Sequence, residues 1–100
     1  MTMVHEVSTS LRSEDVLLRA KRFFGERVPQ YAAFPEREGA GWLLLRGQGG
    51  EEIVISASTI EAVTAVRAST LLFDAQVARF LSTLPPAADP MTQRAAAPAA

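Results

Sequence analysis

Cysteine is absent from the 100 residues, which excludes disulfides, thiolate metal sites and thiol nucleophiles within this chain. Histidine occurs once, at His5, and tryptophan and tyrosine once each, at Trp42 and Tyr31. An excess of charge of one sign is also missing. Ten Lys and Arg stand against eleven Asp and Glu, a net charge of −1, so no global field draws in nucleic acid or an anionic membrane. A nucleic-acid partner is therefore not expected. No apolar run approaches the roughly 18 residues of a membrane span. The opening MTMVHEVSTS lacks both the basic and the apolar regions of a signal peptide. The expectation is a soluble, cytoplasmic protein.

Hydrophobic residues make up 48% and charged residues 21%, an ordinary globular balance and enough for one modest core. The clearest pattern is Val66–Leu84, VRASTLLFDAQVARFLSTL, read as a strand running through Phe73 into a closing helix. Val77, Phe80, Leu81 and Leu84 follow the i, i+3, i+4, i+7 spacing of one apolar helical stripe. Asp74 is the expected N-cap, Phe73 and Ala78 the expected hydrophobic staple, and Pro85-Pro86 the stop.

Met3–Ser10 reads as a first strand, with Val7, Thr9 and Leu11 on one parity. Ser13 is expected to cap a helix with Glu14 and Asp15 in its first turn and a stripe of Val16, Leu17, Ala20, Phe23 and Phe24. Gly25 would end it in a left-handed cap. Tyr31–Glu38 is a second strand that Pro35 confines to a sheet edge or marks with a bulge. Glycine turns at Gly39–Gly41 and Gly47–Gly50 frame the strand Trp42–Arg46. Glu51–Ala57 follows, then a return at Ser58–Glu61 and a last strand Ala62–Leu72. The order is β-α-β-β-β-β-α. Short turns make consecutive strands antiparallel neighbours, and the first strand returns to pair beside the last. The fold class is α+β: a curved antiparallel sheet of about five strands with the C-terminal helix packed on it. Residues 1–84 form one domain, and the Pro/Ala-rich residues 85–100 are expected to be a disordered tail.

Trp42-Leu43-Leu44-Leu45 and Ile53-Val54-Ile55 are apolar on both parities, unlike a half-solvated strand. Something should therefore lie against each face of the sheet's middle: one helix per face, a second subunit, or an apolar ligand. With STLLFDAQVARFLSTLP, GWLLLRG and GEEIVIS as its carriers, the element order resembles a shortened helix-grip protein of the polyketide cyclase/START-like (SRPBCC) superfamily. That resemblance implies a small hydrophobic ligand held between the sheet and the C-terminal helix. The same order is similar to one repeat of the TATA-binding-protein fold, which uses its open sheet face for binding.

The chemistry-bearing residues offer little for catalysis. His5 would need an acidic orienter, and Glu6 points to the opposite side of a strand. One histidine without cysteine makes no zinc site, and no metal or cofactor is expected. Glu36, Glu38, Glu51 and Glu52 near the hairpin ends, and Arg12, Arg19, Lys21, Arg22 and Arg27 around the first helix, read as solvated charge. The glycines of Gly47–Gly50 precede two glutamates and no helix, so they read as a turn and not as a phosphate cradle. No catalytic residue is assigned. The function expected is a small non-enzymatic module that self-associates or binds a protein partner through the face bearing Trp42, Leu44 and Val54, with Tyr31 as a further amphipathic aromatic. The alternative is the helix-grip carrier or cyclase-like protein.

Overall fold

Residues 3–26 and 32–87 are described by a computed structural model. The expected element order is found: β1 (Met3–Thr9), α1 (Ser13–Gly25), β2 (Ala33–Gly39), β3 (Trp42–Gly47), β4 (Glu52–Ile60), β5 (Val63–Thr70) and α2 (Asp74–Ser82). The strands form one antiparallel sheet in the order β1-β5-β4-β3-β2. Hairpins join β2 to β5 in sequence. Strand β1 lies outside that meander and pairs with β5 from Met3↔Thr70 to Thr9↔Thr64.

Both helices lie on the same face. Val16, Ala20 and Phe24 of α1 and Val77, Phe80 and Leu81 of α2 share one buried cluster with Leu43, Leu45, Ile53, Ile55, Val66 and Ala68 of the sheet. The two helices meet through aromatic rings, with centroids 5.4 Å apart for Phe23–Phe80 and 5.5 Å for Phe24–Phe80. The arrangement with one helix on each face is thereby excluded. Burial alternates along β3 and β4: Leu43, Leu45, Ile53 and Ile55 are fully buried, while Leu44 and Val54 are only half-buried on the other side.

Pro35 acts as its chemistry requires, lying in an edge strand where the register slips between Pro35 and Arg37. The turn Ala40-Gly41 needs its glycine: Gly41 has φ +82°, and a Cβ there would sit 3.2 Å from the Ala57 carbonyl. β4 runs to Ile60, so the turn is shorter than the expected Ser58–Glu61 and consists of Glu61-Ala62, with Glu61 at φ 59°. Glycine is the usual occupant of such a position.

The helix ends differ from expectation, and the start of α1 is served by a distant residue. Ser13 is the first helical residue of α1 and not its cap. Its amide donates to Thr59 Oγ1 at 3.1 Å, Thr59 and Thr64 hydroxyls lie 2.7 Å apart, and Thr64 Oγ1 donates to the Leu11 carbonyl. Gly25 stays helical, and Glu26 ends the helix at φ −100°, its amide bonded to the Arg22 carbonyl. Phe73, not Asp74, is the N-cap of α2, and its amide donates to Thr70 Oγ1 at 3.2 Å. Ala78 is exposed, so it is no staple partner; Phe73 is buried in the core cluster. After α2, Thr9 Oγ1 donates to the Pro85 carbonyl at 2.5 Å and the Ala87 amide to the Ser8 carbonyl at 3.3 Å. Residues 85–87 thus lie against the outer edge of β1.

Two stability measurements follow. Phe80→Ala removes a fully buried ring at the junction of both helices and is expected to cost about 3–5 kcal/mol by chemical denaturation. Glu61→Gly relieves a left-handed backbone at slightly greater cost in unfolded-chain entropy than glutamate carries, and should raise stability by about 0.5–1 kcal/mol.

Candidate interaction face

With both helices on one side, the opposite face of the sheet carries the side chains of alternate register rows. In one row Leu44 lies across from Val54, Val54 from Ser69, and Ser69 from Val4. In the next, Trp42 lies across from Ser56, Ser56 from Arg67, and Arg67 from Glu6. Three of the four residues expected on a partner face, Trp42, Leu44 and Val54, are therefore neighbours. Tyr31 lies outside the described residues. Trp42 is 40% exposed and Val4 45%. The Trp42 indole lies over Gly39, where any Cβ would overlap it; the bare backbone of β2 is what lets the ring lie flat toward that edge.

Polar residues close the face at its ends. Arg46 Nε donates to Glu36 Oε1 at 2.6 Å and Nη2 to Glu36 Oε2 at 3.3 Å, a two-point fork, while Nη2 also stands 3.3 Å from Glu52. The hydrogen bond from Arg46 is the main cause that holds the Glu36 carboxyl below its ordinary range, and the same bond raises the Arg46 guanidinium. Arg67 Nε stands 3.7 Å from Glu6. Between Arg67 and the far end of β4 the surface sinks into a shallow hollow of about 580 Å³, lined by Ser8, Ser56, Ser58 and Ala65 with Glu6 and Arg67 at its rim. Small side chains make the hollow, because serine and alanine leave the sheet backbone close to solvent.

Beyond the Arg46–Glu36–Glu52 cluster at its end, the remaining sequence candidates are placed apart from this face. The four glutamates do not converge: Glu36 and Glu52 share Arg46, Glu38 pairs with Lys21, and Glu51 Oε1 accepts from the Gly49 amide at 2.9 Å. That last bond fills the glycine turn's own amide with a carboxylate, consistent with reading it as a turn. Among the described residues no group of three His, Asp or Glu side chains is placed to hold a metal. Around α1, Arg12 pairs with Glu14 at 3.0 Å; Arg27 lies outside the described residues. His5 does have an acidic neighbour, Asp74, with Nε2 and Oδ1 3.0 Å apart. The pair joins β1 to the first turn of α2. No local pattern signals it, since the two residues are 69 positions apart. Val4, Ser56, Arg67 and Ser69 also lie on the face; for Val4 the signal is a β1 parity opposite to Val7 and Thr9, and for Ser56 the parity it shares with Val54.

No family model, no curated protein and no solved structure matches this chain.

The Arg46 fork has a measurable signature. In Arg46→Met, the Glu36 carboxyl should titrate upward toward its ordinary value, read by carboxyl-carbon NMR. Because the folded-state value is lowered, the small stabilisation it carries exists above the unfolded-state value and fades as pH falls through the folded one. Arg46→Met should flatten that acid-limb slope.

Proposed function

We propose that this protein is a non-enzymatic interaction module that binds a protein surface on its open sheet face. The observation that carries the reading is the placement of both helices on one side of the sheet, with Leu44, Val54 and Trp42 adjacent on the other. Large apolar side chains kept half in water forgo part of the roughly 1.5–3 kcal/mol that full burial of each would contribute. A partner that covers them recovers it. The composition suits a contact surface: an aromatic and aliphatic centre, with Glu6, Arg67, Arg46 and Glu52 toward the rim.

The helix side favours this reading over a ligand held between sheet and C-terminal helix. There Phe23, Phe24 and Phe80 pack ring against ring, with Phe23–Phe24 centroids 5.1 Å apart, and Val77, Phe80 and Leu81 are buried. The likeness to the helix-grip superfamily is thus one of element order, and its hydrophobic ligand finds less support than a protein partner on the other face. The likeness to a TATA-binding-protein repeat points the same way, toward an open sheet face used for binding.

Native mass spectrometry of the protein purified from its own host should show it above its monomer mass of 10.8 kDa. The double variant Leu44→Lys/Val54→Lys should be recovered as a monomer whose unfolding free energy is within about 1 kcal/mol of the original. Wild-type protein recovered only as a bare monomer would sink the proposal.

A further inference from the structure

We infer that the partner is a second copy of this chain, packed face to face about a two-fold axis that runs along β4. The inference rests on the interaction-module reading and adds the identity and the geometry of the partner. β4 is the middle strand of five, so an axis along it, lying between the two sheets, sets each β3 opposite the partner's β5. Position along the strands is unchanged by that rotation. Trp42 and Arg67 belong to the same register row, one strand to either side of Ser56. The ring leans over Gly39 of β2, which faces the partner's β1, so each indole comes down on the partner's Arg67–Glu6 pair and on the rim of its serine-lined hollow.

The two features are complementary. Trp42 is a large, 40% exposed ring on the β3 side, and the hollow of Ser8, Ser56, Ser58 and Ala65 lies on the β5 and β1 side. One copy carries both the exposed ring surface and the recess, which is what an isologous interface requires. Arg67, an exposed cation beside the recess, would stack on the incoming ring as a cation–π pair. Val54, on the axis, would meet its own twin. An axis running across the strands fits worse: β3 would face β3, Trp42 would meet large apolar neighbours, and hollow would face hollow.

Size and charge are compatible with pairing. Five strands about 4.8 Å apart and roughly six residues long give a footprint on the order of 500 Å² per copy. Doubled, it reaches the lower bound of roughly 1,000 Å² for a specific interface. A net charge of −1 per copy sets up no strong repulsion between identical chains.

The absence of cysteine and the single tryptophan make the test direct. Wild-type protein should sediment as a dimer, and its tryptophan emission, all from Trp42, should shift to longer wavelength as dilution dissociates it. Ser58→Arg fills the recess at an exposed position; it should keep the melting temperature and weaken dimerisation by about tenfold or more, as a clash at a central contact does. Val54→Cys should be joined to its twin by a short bis-maleimide. Val4→Cys should not, because twin β1 strands would stand four strand spacings apart, roughly 19 Å. A wild-type monomer at millimolar concentration overturns the homodimer, and if host-purified material then carries a different protein, the face remains an interaction site. A dimer whose tryptophan emission does not move on dilution, or in which Val4→Cys is linked and Val54→Cys is not, overturns the axis.

Discussion

The contact of Phe23 and Phe24 with Phe80 is the constraint on which the arrangement depends. Three rings within 5.1–5.5 Å of one another join the C-terminal half of α1 to α2, each pair adding about 0.5–1.5 kcal/mol beyond the area it buries. The two contacts with Phe80 hold both helices over the same face. A sheet with two faces and two helices then has one face with no cover of its own. The half-exposed state of Leu44, Val54 and Trp42 is a consequence of where the rings meet, and the sequence compensates with serine, alanine and paired charge around them.

Hydroxyl groups manage the corners that this packing creates. Thr9, Thr64 and Thr70 are the polar residues buried among the described side chains, and each bonds a chain segment that changes direction. Thr64, with Thr59, fixes the passage from β1 into α1; Thr70 fixes the entry to α2; Thr9 holds the chain as it leaves α2. A buried donor or acceptor without a partner costs about 1–3 kcal/mol, so these threonines are tied to their corners. Threonine also suits the strands they belong to, being β-branched.

The parts legible in the sequence were those fixed by local periodicity or covalent chemistry. The stripes Val16/Ala20/Phe24 and Val77/Phe80/Leu81 were readable because helical spacing repeats within a few residues, and Pro35 because it lacks an amide wherever it sits. Ser13 and Asp74 have the chemistry of local caps, yet at α1 the distant Thr59 takes the amide and at α2 Phe73 is the cap, with its amide bonded to Thr70. Thr59 reaches Ser13 across 46 positions and His5 reaches Asp74 across 69. The candidate face was half legible for the same reason. Leu44 and Val54 showed themselves as apolar residues of the wrong parity, whereas Arg67 joins them through the β4–β5 register and Val4 through the β1–β5 register, which no local pattern encodes.

That register has a bearing on the order of assembly. β2, β3, β4 and β5 each find a partner within a hairpin, and such local pairings form early because little chain entropy is lost in closing them. β1 is made first and paired last. During synthesis it has no strand to join until Val63–Thr70 has emerged, and its outer edge stays open until Pro85–Ala87 follow. For that interval the nascent chain carries β1 as an unpaired strand. The charge of Glu6 within β1 limits what an unguarded edge of this kind can recruit from neighbouring chains.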